Sequence, residues 1–146
     1  MSKTSIEGIY TVAHNKERIF SFLSNMNNVS KCLKGLQDIK ELSSNSLSSK
    51  IKISEGIIRG LFNIEASKKV ENSSIIIYFK LYGTLGRAEG EIKIQLEEVE
   101  SKNTKILYKA DIEVKGLGAT LAKKQISQIA EKILKDIFEC FEQSFV

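Results

Sequence analysis

From Leu47 to Lys115 the chain alternates apolar and polar residues almost without interruption, and this period of two constrains the fold more than any other feature. Leu47, Ser49, Ile51 and Ile53 alternate with Ser48, Lys50, Lys52 and Ser54. Ile58, Gly60, Phe62, Ile64 and Ala66 follow the Glu55-Gly56 break, and Ile75, Ile77, Phe79 and Leu81 follow the turn signal Asn72-Ser73. After Gly83-Thr84-Leu85-Gly86, Ala88, Gly90, Ile92, Ile94 and Leu96 alternate with Glu89, Glu91, Lys93, Gln95 and Glu97. The last run sets Ile106, Tyr108, Ala110, Ile112 and Val114 against Lys105, Lys109, Asp111, Glu113 and Lys115. One-sided patterning of this kind belongs to an antiparallel sheet with one wet and one buried face.

The flanks complete the element order. Thr4 to Val12 reads as a strand with Ile6, Gly8, Tyr10 and Val12 on one side. A short helix is expected at about 15–25, where Ile19, Phe20, Phe22 and Leu23 cluster and Glu17 suits the positive helix end. A second helical turn is expected over Asn28 to Lys34, stopping at Gly35. Beyond Gly116 and Gly118 the period changes to helical. Ile126, Ile129, Ala130, Ile133, Leu134, Ile137, Phe138 and Phe141 form a broad apolar stripe on one long helix, about 40 Å at 1.5 Å per residue. The expected fold is α+β: a curved antiparallel sheet wrapped around a long C-terminal helix, with two short helices after the first strand. Residues 1–146 form a single domain in this reading. Several inward strand positions are small (Gly8, Gly60, Ala66, Ala88, Gly90 and Ala110). They serve either a cavity under the helix or simple bending of the sheet, and the pattern leaves both open.

Scarce residues exclude much chemistry. One His rules out sites built on two or three imidazoles, and two Cys cannot make a Cys₄ or Cys₃His zinc centre. No cofactor and no metal are expected, and no catalytic residue stands out. The net charge of +4 arises in the first sixty residues, which hold nine basic against five acidic side chains. Lys31, Lys34 and Lys40 are interrupted by Asp38 and Glu41, without the basic-aromatic interleaving of a nucleic-acid surface. Neither a signal-peptide core nor an apolar run of about 20 residues is present. The simplest expectation is a cytoplasmic protein without a transmembrane segment, with Cys32 and Cys140 reduced, a 32–140 disulfide being the alternative that stays open.

Gly8-Ile9-Tyr10-Thr11-Val12-Ala13 leads into Lys16-Glu17-Arg18-Ile19-Phe20-Ser21-Phe22-Leu23, and Val29-Ser30-Lys31-Cys32-Leu33-Lys34-Gly35 follows. With the pair Tyr82-Gly83 and Ala88-Glu89-Gly90, and with Thr104 to Tyr108 running to Val114-Lys115-Gly116-Leu117-Gly118, this order resembles the CoxG-like family of carbon monoxide dehydrogenase proteins. That family lies in the START-like, or SRPBCC, helix-grip superfamily, with START lipid-transfer domains, the major birch-pollen allergen and polyketide cyclases. Lys34 departs from the proline usual in its Cys-(Ile/Leu)-Pro-Gly turn. The resemblance implies a helix-grip fold, a hydrophobic ligand such as a lipid or quinone, and an accessory role beside a carbon monoxide dehydrogenase or related molybdenum hydroxylase. Peripheral membrane contact stays open.

Three functions follow. The first is a non-catalytic carrier of an apolar small molecule held between sheet and terminal helix, contacted by Phe62, Phe79, Tyr108, Leu121, Gln125 and Ile129. Tyr108 enters because a strand tyrosine in inward register offers an apolar body with a polar tip. The second is a docking or maturation factor for a molybdenum hydroxylase, using the basic N-terminal half through Lys31 and Lys34. The third is a cyclase or dehydratase, which needs titratable groups converging inside the pocket. His14 is expected at a helix entrance and Cys32 as a small buried side chain.

Overall fold

The computed structural model describes the backbone of residues 2–33, 35–43, 45–55, 58–84, 86–100, 102–116 and 119–144, with the side chains at 2, 41, 55, 58, 119–123 and 144 left out. Strand β1 (Ser2–Val12) is followed by helices α1 (Lys16–Leu23) and α2 (Met26–Lys31). Strands β2 (Leu36–Ser43), β3 (Ser46–Glu55), β4 (Ile58–Glu71), β5 (Ser74–Gly83), β6 (Gly86–Glu100) and β7 (Asn103–Lys115) come next, and α3 (Ala119–Ser144) closes the chain.

All strand pairs are antiparallel and form one seven-stranded sheet ordered β1-β7-β6-β5-β4-β3-β2. β2 to β7 is an uninterrupted meander, while β1 joins beside β7. The chain must therefore travel from one edge of the sheet to the other between β1 and β2, and α1 and α2 make that crossing. Each helix starts on an asparagine: Asn15 Oδ1 accepts from the Arg18 amide and Asn25 Oδ1 from the Asn27 amide, both at 2.9 Å. The Asn25 cap explains why α2 begins at Met26, ahead of its expected start. It also ends earlier, at the Cys32 cap, and Lys34 lies outside the described residues.

The period-two reading holds in the register. Ile106 pairs with Tyr10 and Leu96, and Ile112 pairs with Thr4 and Gly90, so neighbouring strands send their apolar sets to the same side. Glu89, Glu91 and Glu97 are exposed on the other face. The C-terminal half of α3 lays Leu134, Ile137, Phe138 and Phe141 onto Val12, Ile19, Leu23, Val29, Ile94, Leu96 and Ile106, and these form the solid part of the core. His14 caps that end: its ring meets Phe141 edge-on at 5.7 Å, and its carbonyl accepts from the fully buried Thr104 hydroxyl at 2.8 Å.

The expectation of two reduced thiols is corrected. Cys32 and Cys140 form a disulfide, with Cα atoms 5.5 Å apart, tying the end of α2 to the last turns of α3. Cys32 is buried as expected. Its partner lies 108 residues away, and helix packing brings them together where local spacing could not signal it. The bond removes the link between reduced cysteines and a cytoplasmic location. Closing so long a loop restricts the unfolded chain and is worth about 2–4 kcal/mol. Thermal melts with and without a strong thiol reductant should therefore differ by roughly 5–15 °C. A Cys32→Ser/Cys140→Ser variant should melt at the reduced value in both conditions. Identical melts of the wild-type protein, together with two titratable thiols, would contradict the pairing.

Candidate functional site

Helix α3 does not fill the sheet it crosses. Its closest sheet neighbours are β1 and β7 rather than β3, β4 and β5. Beyond the solid end, the core divides into two separate clusters. One gathers Ile6, Ala88, Ala110, Ile112 and Val114. The other gathers Ile51, Ile53 and Phe62. Between them lies a cavity of about 290 Å³, close to the lower end of the range for small-molecule pockets.

Its wall combines strand residues Leu47, Ile51, Phe62, Phe79, Leu81 and Ile112 with α3 residues Ile126, Ile129, Ala130 and Ile133, and α2 closes one side through Met26, Val29 and Ser30. Ala66, Ala88, Ala110 and Ala130 all line it. Leucine at these places would project into the hollow. The glycines behave differently. A Cβ on Gly8 would run into the Tyr108 phenol, and one on Gly90 would overlap the Asp111 carbonyl oxygen. Gly60 is exposed. The choice between cavity and backbone geometry thus splits by residue type, with alanine leaving space and glycine at 8 and 90 permitting close approach.

Phe62, Phe79 and Ile129 line this cavity, and Tyr108 and Gln125 are not among its described lining residues. Tyr108 keeps the inward register, yet its ring leans over Gly8 and packs on Phe138 at 5.7 Å between centroids, with Tyr10 on the same Phe138 at 5.3 Å. It is absent from the lining because glycine across the ladder gives the ring a nearer seat. Gln125 is half-buried, and its Oε1 is buried without a hydrogen-bond partner among the described residues. The side chain of Leu121 lies outside the described residues. Sequence reasoning missed Arg87 and Lys115, which also line the cavity. Both occupy wet-face positions at strand ends, so alternation alone sends them to solvent. A second depression of about 800 Å³ lies on the outer sheet face among Lys3, Ser5, Lys80, Glu89, Glu91 and Glu113, and it is wide and open to solvent.

Among the described residues no cluster of three or more His, Cys, Asp or Glu side chains could hold a metal ion. No helix among them is long and apolar enough to cross a membrane. Among the described residues, the cavity wall carries no carboxylate, imidazole or thiol, and its non-apolar side chains are Ser30, Arg87 and Lys115.

The family model for CoxG, a carbon monoxide dehydrogenase subunit, matches residues 8–145. The chain belongs to the CoxG family. A search of curated proteins finds no sequence match. Among solved structures, it is similar to a conserved protein from Geobacillus kaustophilus, at TM-score 0.86 and 17% identity, over 97% of this chain and 94% of that one. It is also similar to the Zhui aromatase/cyclase from Streptomyces sp. R1128, at TM-score 0.68 and 11% identity, over 98% and 93% of the two chains. A START superfamily protein from Mycobacterium smegmatis aligns at TM-score 0.66 and 17% identity, over 96% and 95%. At these identities the likeness shows the fold alone, the helix grip. The CoxG chain shares it with proteins whose names include an enzyme.

Two tyrosines beside the cavity give the CoxG protein a measurable pH response. Burial raises the Tyr10 phenol above its ordinary value of 10.0, and Glu142 and Glu139 on α3 add to the rise, Glu142 also as its hydrogen-bond partner. Tyr108 is raised by burial first and then by Glu131. In each case the fold favours the neutral phenol. The folded state therefore retains protons that the unfolded chain releases above pH 10, and stability falls as pH rises through that value. Urea midpoints should be lower at about pH 10.5 than at about pH 8.5, with a smaller drop in a Tyr10→Phe/Tyr108→Phe variant. An equal drop in that variant would assign the loss to other groups.

Proposed function

We propose that this CoxG-family protein is a non-catalytic carrier whose cavity between sheet and α3 holds a small apolar molecule of lipid or quinone type. One observation carries the reading: a hollow of about 290 Å³ walled mostly by apolar side chains from β3 to β7, α2 and α3. Such a site binds through buried apolar area, at about 25 cal/mol per Å² removed from water, and a few polar groups fix orientation. Phe62, Phe79 and Ile129 are the aromatic and aliphatic contacts. Ser30 is the nearest hydroxyl on the α2 side, although its Oγ already donates to the Asn27 carbonyl at 2.9 Å.

A cyclase or dehydratase reading would need acid and base groups converging on a substrate. The described wall supplies none, and this favours holding over turnover. Association with a carbon monoxide dehydrogenase or molybdenum hydroxylase rests on the family relationship. Lys31, from the docking reading, is exposed at the end of α2.

A neutral apolar fluorophore, N-phenylnaphthylamine, tests the cavity directly. Saturable enhancement at one site per chain is expected, and long-chain alcohols should displace it. Ala66→Phe or Ala130→Phe, which push a ring into the hollow, should weaken binding at least tenfold while the circular dichroism spectrum and melting stay close to wild type. Absence of saturable binding, or unchanged binding in both filled variants, overturns the carrier role. Native mass spectrometry of the freshly purified protein should show a retained mass that organic solvent extracts.

A further inference from the structure

Resting on the carrier reading, we propose that the ligand is a single-chain amphiphile with an anionic head, its tail in the cavity and its head held by Arg87 and Lys115. Among the described residues, the cavity wall is apolar except at Ser30 and at these two cations. They are not scattered. Arg87 is the second residue of β6, Lys115 the last of β7, and the two are direct partners across the ladder. Ile106 belongs to the solid end of the core, and Lys115 stands nine residues further along the same strand, about 30 Å at 3.3 Å per residue. The positive charge therefore sits at the end of the hollow away from the packed helices and the disulfide.

Both residues border the cavity and are open to water: Arg87 is exposed, and the Lys115 side chain is 38% exposed. A charged head there keeps its hydration while the tail is desolvated, and this avoids the large cost of burying an ion. The nearest carboxylates on the same ladder do not line the cavity. Glu89 and Glu113 form the next cross-strand pair, but they line the outer depression and not the cavity. Glu113 pairs with Lys115 at 3.5 Å, while Arg87 has no carboxylate partner among the described residues. Arg87 thus offers, among the described residues, a planar donor set without a carboxylate partner, suited to an anionic carboxylate or phosphate head.

Competition against N-phenylnaphthylamine with decanol, decanoate and decyl phosphate separates the head from the tail. Decanoate or decyl phosphate should bind about three- to tenfold more tightly than decanol, as expected for one or two partly exposed charge contacts. The better of the two identifies the head as carboxylate or phosphate. In about 1 M NaCl, where the screening length shrinks to about 3 Å, that preference should contract. In Arg87→Gln/Lys115→Gln it should vanish, with decanol affinity unchanged as the check that the cavity is intact. Equal affinity of wild type for decanol and both anions overturns the anionic head and leaves the apolar carrier standing. Failure of all three to displace the fluorophore overturns both. Should the double variant not fold, the salt dependence of the wild-type preference decides alone: a preference unaffected by salt counts against the cations.

Discussion

The anchoring of the C-terminal half of α3 is the contact on which the remainder of the molecule depends. Phe138 and Phe141 are almost wholly buried, Phe138 against Tyr10 and Tyr108, Phe141 against Phe22 and His14. The disulfide joins the same end of α3 to α2. With one end of the helix locked by aromatic packing and a covalent bond, and its flank on β1 and β7, the preceding turns are held at a fixed height above the sheet. A helix free to tilt would collapse onto β3, β4 and β5 and close the hollow, since void lining forfeits dispersion contacts. Rigidity at one end preserves space at the other.

The same division explains how the small residues are used. Ala66, Ala88 and Ala110 face the hollow, and their missing volume is the volume of the cavity. Gly90 lies where the β7 backbone comes too close for any Cβ, and Gly8 yields its side-chain space to the Tyr108 ring. Tyr108 and Phe138 then belong to the wall that braces α3, one layer behind the cavity. Stiffness and space are built from neighbouring positions on the same inward face.

Period-two alternation made the sheet, its faces and its antiparallel order legible, because a residue's side of a strand follows from sequence parity alone. The helical stripe from Ile126 to Phe141 was legible for the same reason at a period of 3.6. Phe62, Phe79 and Ile129 were placed beneath the helix by those two periods. What parity does not encode is sideways lean, and Tyr108 moved out of the cavity by leaning toward Gly8. Nor does it encode contacts across long sequence separations. Cys32 and Cys140 meet only after α2 and α3 have docked, so a disulfide between them is a tertiary fact. Arg87 and Lys115 show a third limit. Parity assigns them to the wet face, but at strand ends beside a hollow a long side chain can touch water and cavity together.

Fold likeness to an aromatase/cyclase does not transfer catalysis, because the helix grip supplies only a bounded space and chemistry depends on the groups lining it. Acid-base turnover requires a proton donor or acceptor within hydrogen-bond reach of the reacting atom. Among the described residues, the tyrosines beside the hollow sit where the neutral phenol is favoured, and the charged residues that line it are cations at one end. Such an arrangement has a polarity axis, with an apolar interior and a positive end meeting water. It can orient a long molecule with unlike ends, because reversal would leave the head without its cations and expose apolar tail to solvent. Orientation of that kind favours release and uptake at the same end, and it requires no reacting centre along the path.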